Sequence, residues 1–179
     1  MLIALCHAVD RIVRYTQIEI SKEKKKKLIF SQDAIFVGGG NTKSMLAVWK
    51  EWGLDKILKK AYRDGIVMSG VSAGAICWFQ NGITDSWDSN LKVMPCMNII
   101  KGTCCPHYDE EPERRPTVKK LIVSKKLKNI YAVDGGAALH IKNEKQFKSI
   151  GFKKDKSSYD VSLDKGNLIE KNFKKIELL

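Results

Sequence analysis

Twice in this sequence a short apolar run ends in a tight, glycine-rich corner and gives way to residues at helical spacing. The first run is residues 33–37 (Asp-Ala-Ile-Phe-Val), which meets Gly38-Gly39-Gly40 and then Asn41-Thr42, a pair suited to capping a helix. Met45, Leu46, Trp49 and Trp52, then Leu54, Ile57, Leu58 and Tyr62, follow at near-helical intervals, and Gly53 divides them into two helices. After a turn at Asp64-Gly65, Ile66-Val67-Met68 begins a second strand. It runs into Gly70-Val71-Ser72-Ala73-Gly74-Ala75, and Ala75-Ile76-Cys77-Trp78 continues as helix.

Residues 106–116 read as a polar loop before a helix near 117–125. Asn129-Ile130-Tyr131-Ala132-Val133 reads as a strand that ends in Asp134-Gly135-Gly136. Segments around 138–141, 147–152, 159–163 and 167–177 read as strands and turns. Strands alternating with helices predict an α/β fold, a mostly parallel sheet with helices on both faces, in one domain spanning 1–179. Sites in such sheets lie in loops beyond the strand C-termini. Residues 38–42, Ser72 and Asp134 all fall in loops of that kind.

Composition excludes several classes. At 179 residues the chain can bury a core unaided, and no run approaches ~18 consecutive apolar residues. The apolar start, residues 1–10, lacks the length and charged lead of a secretory signal and is read as part of the fold. Five cysteines, odd in number and without a CxxC pair, point to reduced thiols in a cytoplasm. Cys104, Cys105 and His107 come closest to a metal set, but neighbouring residues rarely converge on one ion, so no metal is expected. The net charge of +12 would attract nucleic acid, yet the lysines are dispersed. The densest run, at residues 22–27, precedes a strand and has no interleaved aromatics, which favours a solvated face.

The glycine corners carry chemistry. A Gly-x-Ser-x-Gly turn between strand and helix holds its serine in a strained conformation with the hydroxyl exposed, which makes Ser72 a candidate nucleophile. The Gly38-Gly39-Gly40-Asn41-Thr42 loop fits neither the P-loop nor the dinucleotide pattern. It suits an oxyanion hole, where bare backbone donates N–H to developing charge. A serine needs a base, and the chain has three histidines. His140 lies inside an apolar strand and His7 in the leading segment, which leaves His107, in the polar loop after an apparent strand, as the best candidate.

Val37-Gly38-Gly39-Gly40-Asn41-Thr42, Gly70-Val71-Ser72-Ala73-Gly74-Ala75, Thr84-Asp85-Ser86 and Pro106-His107-Tyr108 together resemble the peptidase E family of serine dipeptidases. That family sits within the class I glutamine amidotransferase-like superfamily, and the likeness extends over roughly residues 30–145. It implies hydrolysis of short peptides with an N-terminal aspartate; related branches cleave cyanophycin, an aspartate–arginine polymer. By this resemblance Ser72 attacks, His107 moves the proton, and the N–H of Ala73 with one from Gly39 or Gly40 holds the oxyanion. Asn41 and Thr42 would contact substrate, and no cofactor is implied.

The third triad member is open. The family's glutamate, in a Pro-Glu-Gly-type segment, matches Val133-Asp134-Gly135-Gly136, where the acidic position holds Gly135 and Asp134 comes one residue earlier. Asp134 is placed ahead of Asp85; Glu110 and Glu111 follow His107 too closely to reach its ring easily. Arg114 and Arg115 lie where the family has an arginine, suited either to a substrate carboxylate or to a helix-start salt bridge. The family also has a further strand and helix before the matching segment, so an N-terminally shortened fold is expected. The expected partners are a small peptide and a second copy of the chain, with no membrane and no nucleic acid. A catalytically impaired binding protein of the same fold is the alternative.

Overall fold

The structure, a computed structural model, describes residues 3–4, 21–87 and 90–176; sequence readings on residues 1–2 and 5–20, His7 among them, lie outside these. Chain contacts divide into two compact units, residues 1–78 and 79–179.

In the first unit, β1 (Ile3–Ala4), β2 (Ala34–Val37) and β3 (Val67–Gly70) form a parallel sheet in that order. The lysine run is helix α1 (Lys22–Phe30), started by Ser21, whose hydroxyl accepts from the Lys24 N–H at 3.3 Å. Its charges are mostly solvated, but Lys25 is buried and sets its ammonium 4.7 Å from the centre of the Trp52 ring. Helices α2 (Thr42–Glu51) and α3 (Leu54–Arg63) are separated by Gly53 at φ +67°, as the spacing predicts. Trp49, Leu54, Leu58 and Ala61 are almost wholly buried on these helices, each larger one contributing about 1.5–3 kcal/mol. Helix α4 is one turn, Ala73–Ile76, packed on β2 and β3. The expected continuation through Trp78 is cut short by the next strand at Phe79. Trp78 instead donates its indole N–H to the Ser69 carbonyl at 3.2 Å and tilts against Trp49.

The second unit holds β4 (Phe79–Thr84), β5 (Lys92–Pro95), β6 (Ile100–Cys105), α5 (Arg114–Val123), β7 (Asn129–Val133), β8 (Ala137–Lys142), β9 (Gln146–Gly151), β10 (Ser158–Asp164), β11 (Asn167–Asn172) and β12 (Lys175–Ile176). One sheet has the order β11-β10-β7-β6-β4-β5 and another β12-β9-β8. These sheets are mixed, which corrects the expectation of a mostly parallel one. Pairs β4–β6, β6–β7 and β9–β12 are parallel, whereas β4–β5, β7–β10, β10–β11 and β8–β9 are antiparallel. Short turns decide two of the antiparallel pairs, β8–β9 and β10–β11. Lys165 and Gly166 both take positive φ between β10 and β11, as do Asn143 and Glu144 after β8, and such turns reverse the chain into hairpins. Helix α5 packs on β7, β10 and β11, and Tyr108, Val118, Ile122, Ile130 and Val161 fill the core between them. It starts earlier than expected because Pro116 sits in its first turn, where a missing N–H costs nothing.

Candidate active site

In the first unit, β2 and β3 run side by side with Val37 opposite Gly70, so the corners that follow them lie at the same sheet edge. The Gly74 N–H donates to the Val71 carbonyl at 2.9 Å and closes a tight turn with Ser72 at its first inner position. There Ser72 has φ +55° and ψ −117°, a type II′ conformation ordinarily left to glycine. The flanking glycines are sterically required. A Cβ on Gly70 would stand 2.2 Å from the Gly74 carbonyl oxygen, and one on Gly74 would stand 2.1 Å from the Val37 carbonyl oxygen. The glycine loop lies alongside: a Cβ on Gly39 would be 3.5 Å from the Ser72 Cβ and 4.0 Å from its Oγ. Asn41 caps α2, its Oδ1 accepting from the Ser44 N–H at 2.9 Å, and Thr42 is buried at the first helical position.

In the second unit, β6 and β7 are parallel neighbours with Cys105 opposite Ala132, which brings the loop carrying His107 beside the loop carrying Asp134. The Tyr108 N–H joins them by donating to the Val133 carbonyl at 3.0 Å. His107 has φ +53°, and the N–H groups of Glu110 and Glu111 both donate to its carbonyl, at 3.2 and 3.3 Å. This left-handed start folds the loop back on itself. Glu110 Oε2 consequently lies 2.7 Å from His107 Nδ1, so the reading that Glu110 is too close in the chain to reach the ring is corrected.

The remaining expected residues have other contacts. Asp134 is buried, and its Oδ2 accepts from the Ser157 N–H at 3.2 Å and from the Tyr159 hydroxyl at 2.7 Å. Burial, reinforced by this bond, pushes the Tyr159 hydroxyl up to about 12. Asp85 is exposed just after β4. Arg114 makes the helix-start pair. Its Nε donates to Glu111 Oε2 at 2.7 Å and its Nη1 to the Ile83 carbonyl at 2.9 Å, with the side chain almost fully buried. Arg115 binds both oxygens of Glu170, at 2.8 and 2.6 Å, and stacks 4.3 Å from the Tyr108 ring centre. The Tyr108 hydroxyl donates to the same carboxylate; burial first, and that bond second, raise its pKa.

The thiols near His107 are poor nucleophiles and metal ligands as they stand. Burial pushes Cys105 up to about 12 and raises Cys104 well above its ordinary value. Among the described residues no group of three or more His, Cys, Asp or Glu is arranged to hold a metal ion. None of their helices is long and apolar enough to cross a membrane.

The pattern of peptidase family S51 matches residues 11–149, which include Ser72, the glycine loop and His107. The chain belongs to peptidase family S51. The S51 chain is 44% identical over 142 residues to the uncharacterized peptidase YgaJ of Bacillus subtilis, covering 79% of this chain and 61% of that protein. It is 28% identical over 134 residues to Peptidase E of Pasteurella multocida, covering 68% of this chain and 56% of the relative. Its fold resembles a crystal structure of a peptidase E-type protein from Listeria monocytogenes, with TM-score 0.56 and 26% identity over 73% of this chain and 65% of the other. The chain thus spans about three-fifths of the curated relatives it matches.

Sequence reasoning missed Glu110, Tyr159 and Glu170 in this S51 chain. Glu110 was hidden by its nearness to His107 in the chain. Tyr159 and Glu170 sit on β10 and β11, beyond residue 149 where the family match ends, and nothing in their local pattern points back to the His107 loop.

Proposed function

We propose that this chain is a serine-type peptidase that hydrolyses short peptides, with Ser72 as nucleophile and His107 as its base. The observation that carries this reading is Ser72 in a glycine-like II′ corner, with Gly39 so placed that a Cβ there would touch the Ser72 side chain. Strain of this kind costs about 1–3 kcal/mol and persists where function requires it. In the proposed reaction the Ser72 Oγ attacks the scissile carbonyl carbon while its proton passes to His107. The tetrahedral oxyanion is held by the N–H of Ala73 and by one from Gly39 or Gly40, each such donor lowering the barrier by about 2.7–4 kcal/mol. Collapse breaks the C–N bond and His107 returns the proton to the leaving amine. Water then attacks the acyl-serine, losing a proton to His107, which passes it to the Ser72 Oγ as the acyl C–O bond breaks and the acid leaves.

The preference for an N-terminal aspartate follows from the likeness to peptidase E, and Asn41 and Thr42 at the end of the glycine loop are the proposed substrate contacts. Arg114 and Arg115 already engage carboxylates of their own unit, which weakens their claim on the substrate. Aspartyl dipeptides incubated with wild type and Ser72→Ala test the reading. Hydrolysis by wild type alone, with fluorophosphonate labelling at Ser72, supports it; equal turnover by both proteins refutes the serine mechanism.

A further inference from the structure

We propose that Glu110 is the positioning carboxylate of His107, and that it fills the space a side chain at residue 135 would otherwise take. The role of His107 as base rests on the function proposed above; the pairing itself rests on the geometry. Two observations meet here. Glu110 Oε2 is 2.7 Å from His107 Nδ1. A Cβ on Gly135 would stand 2.0 Å from both Cδ and Oε1 of Glu110.

Gly135 has no conformational need to be glycine, because its φ lies outside the left-handed region that Gly136, at +81°, does occupy. What a side chain at 135 would meet, and have to displace, is the Glu110 carboxyl. The two loops are fixed against each other at this point. Asp109 accepts from the Gly135 N–H at 2.7 Å and pairs with Lys156, and the Tyr108 N–H reaches the Val133 carbonyl. The carboxylate behind the histidine therefore comes from the histidine's own loop, three residues on, and the neighbouring loop carries no side chain at 135 where that carboxyl lies. Asp134, the adjacent acid, holds Ser157 and Tyr159 through Oδ2; its Oδ1 is buried without a hydrogen bond, so neither oxygen is bonded to the His107 ring.

The chemical consequence concerns a proton. A carboxylate accepts only, so Glu110 holds the neutral ring with hydrogen on Nδ1 and leaves the Nε2 lone pair to take the serine proton. Glu110 is half exposed and His107 is 28% exposed, so the pair adds little to stability and its effect is on orientation and tautomer.

The test uses the full chain. In Glu110→Gln an amide replaces the carboxylate at nearly constant shape, and its NH2 can turn the ring tautomer over. Loss of the orienting carboxylate at matched geometry lowers kcat by up to about 10⁴-fold in a serine triad. The expected result here is a fall of about 10²–10⁴-fold in kcat with KM little changed. 15N NMR of His107 should show the Nδ1–H tautomer in wild type and its loss in the variant. Gly135→Ala should push the Glu110 carboxyl off the ring with the same kinetic signature, and Gly135→Asp placed in Glu110→Ala should recover part of the lost rate.

Unchanged kcat and an unchanged His107 tautomer in Glu110→Gln overturn the proposal. Should wild type hydrolyse no aspartyl dipeptide, the peptidase reading fails separately. The His107 15N signals then decide the pairing: a changed tautomer upholds it and an unchanged one refutes it.

Discussion

The strain at Ser72 can be measured apart from activity by comparing Ser72→Ala with Ser72→Gly. Both variants lose the hydroxyl, and they differ only in whether a Cβ remains at φ +55°, ψ −117°. Alanine keeps the steric conflict, worth about 1–3 kcal/mol for a non-glycine residue in such a region. Glycine removes it but frees the unfolded chain, at a cost of about 0.5–1 kcal/mol. With mid-range values for both effects, Ser72→Gly is expected to be more stable than Ser72→Ala by about 1 kcal/mol. For a protein of this size that corresponds to a Tm higher by about 2–4 °C. Thermal and urea unfolding of the two variants, followed by circular dichroism, give the difference directly. Equal stability, or a more stable alanine variant, would show that the corner is unstrained and would remove the argument that function maintains it.

Gly74→Ala should destabilise the chain by about 2 kcal/mol or more, because its Cβ would press on the Val37 carbonyl, which is backbone and has little room to yield. Gly39→Ala, whose Cβ meets only Ser72 at ordinary contact distance, should leave Tm nearly unchanged and lower kcat; a comparable Tm loss in both would contradict the packing described. Asp109 supplies the pH-dependent link between the two loops. Burial works to raise its pKa, but the Lys156 and Gly135 hydrogen bonds outweigh this and hold it below 3.8. Its folded value is depressed, so its contribution is fully present above 3.8 and is lost as pH falls through the folded value. Lys156, raised above 10.5 chiefly by its bond to Asp109, stays charged throughout that range. Asp109→Asn should accordingly flatten the loss of stability below pH 3.8 in an acid titration followed by circular dichroism, and an unchanged acid limb would refute the link.

The first unit was legible where sequence imposes backbone geometry. Gly53 at φ +67° parts two helices because nothing else sits there cheaply, and the apolar spacing of Trp49, Leu54 and Leu58 matches the faces they bury. Helix α1 was not legible as a helix. Its inward side is formed by Ile29 and by the stem of a lysine, so charge masks the periodicity. In the second unit, β5 is only four residues long and sets half-buried Val93 beside buried Met94 between exposed ends, without the alternation that marks a strand. The hairpins follow Lys165-Gly166 and Asn143-Glu144, neither of which is the Asn-Gly or Asp-Gly pair that announces such a turn.

The candidate site divides along the same line. Ser72 could be found because a strained corner demands small neighbours, and Gly70 and Gly74 record that demand in the sequence. Glu110 could not, because its reach to Nδ1 depends on one dihedral. With His107 in an extended conformation the loop would run on, and a carboxylate three residues later would point away. At φ +53° it returns to the ring. Histidine carries no mark of that conformation. The nearest trace in the sequence is Gly135, which first reads as a lost acidic residue and reads instead, once Glu110 is in place, as the room that residue needs.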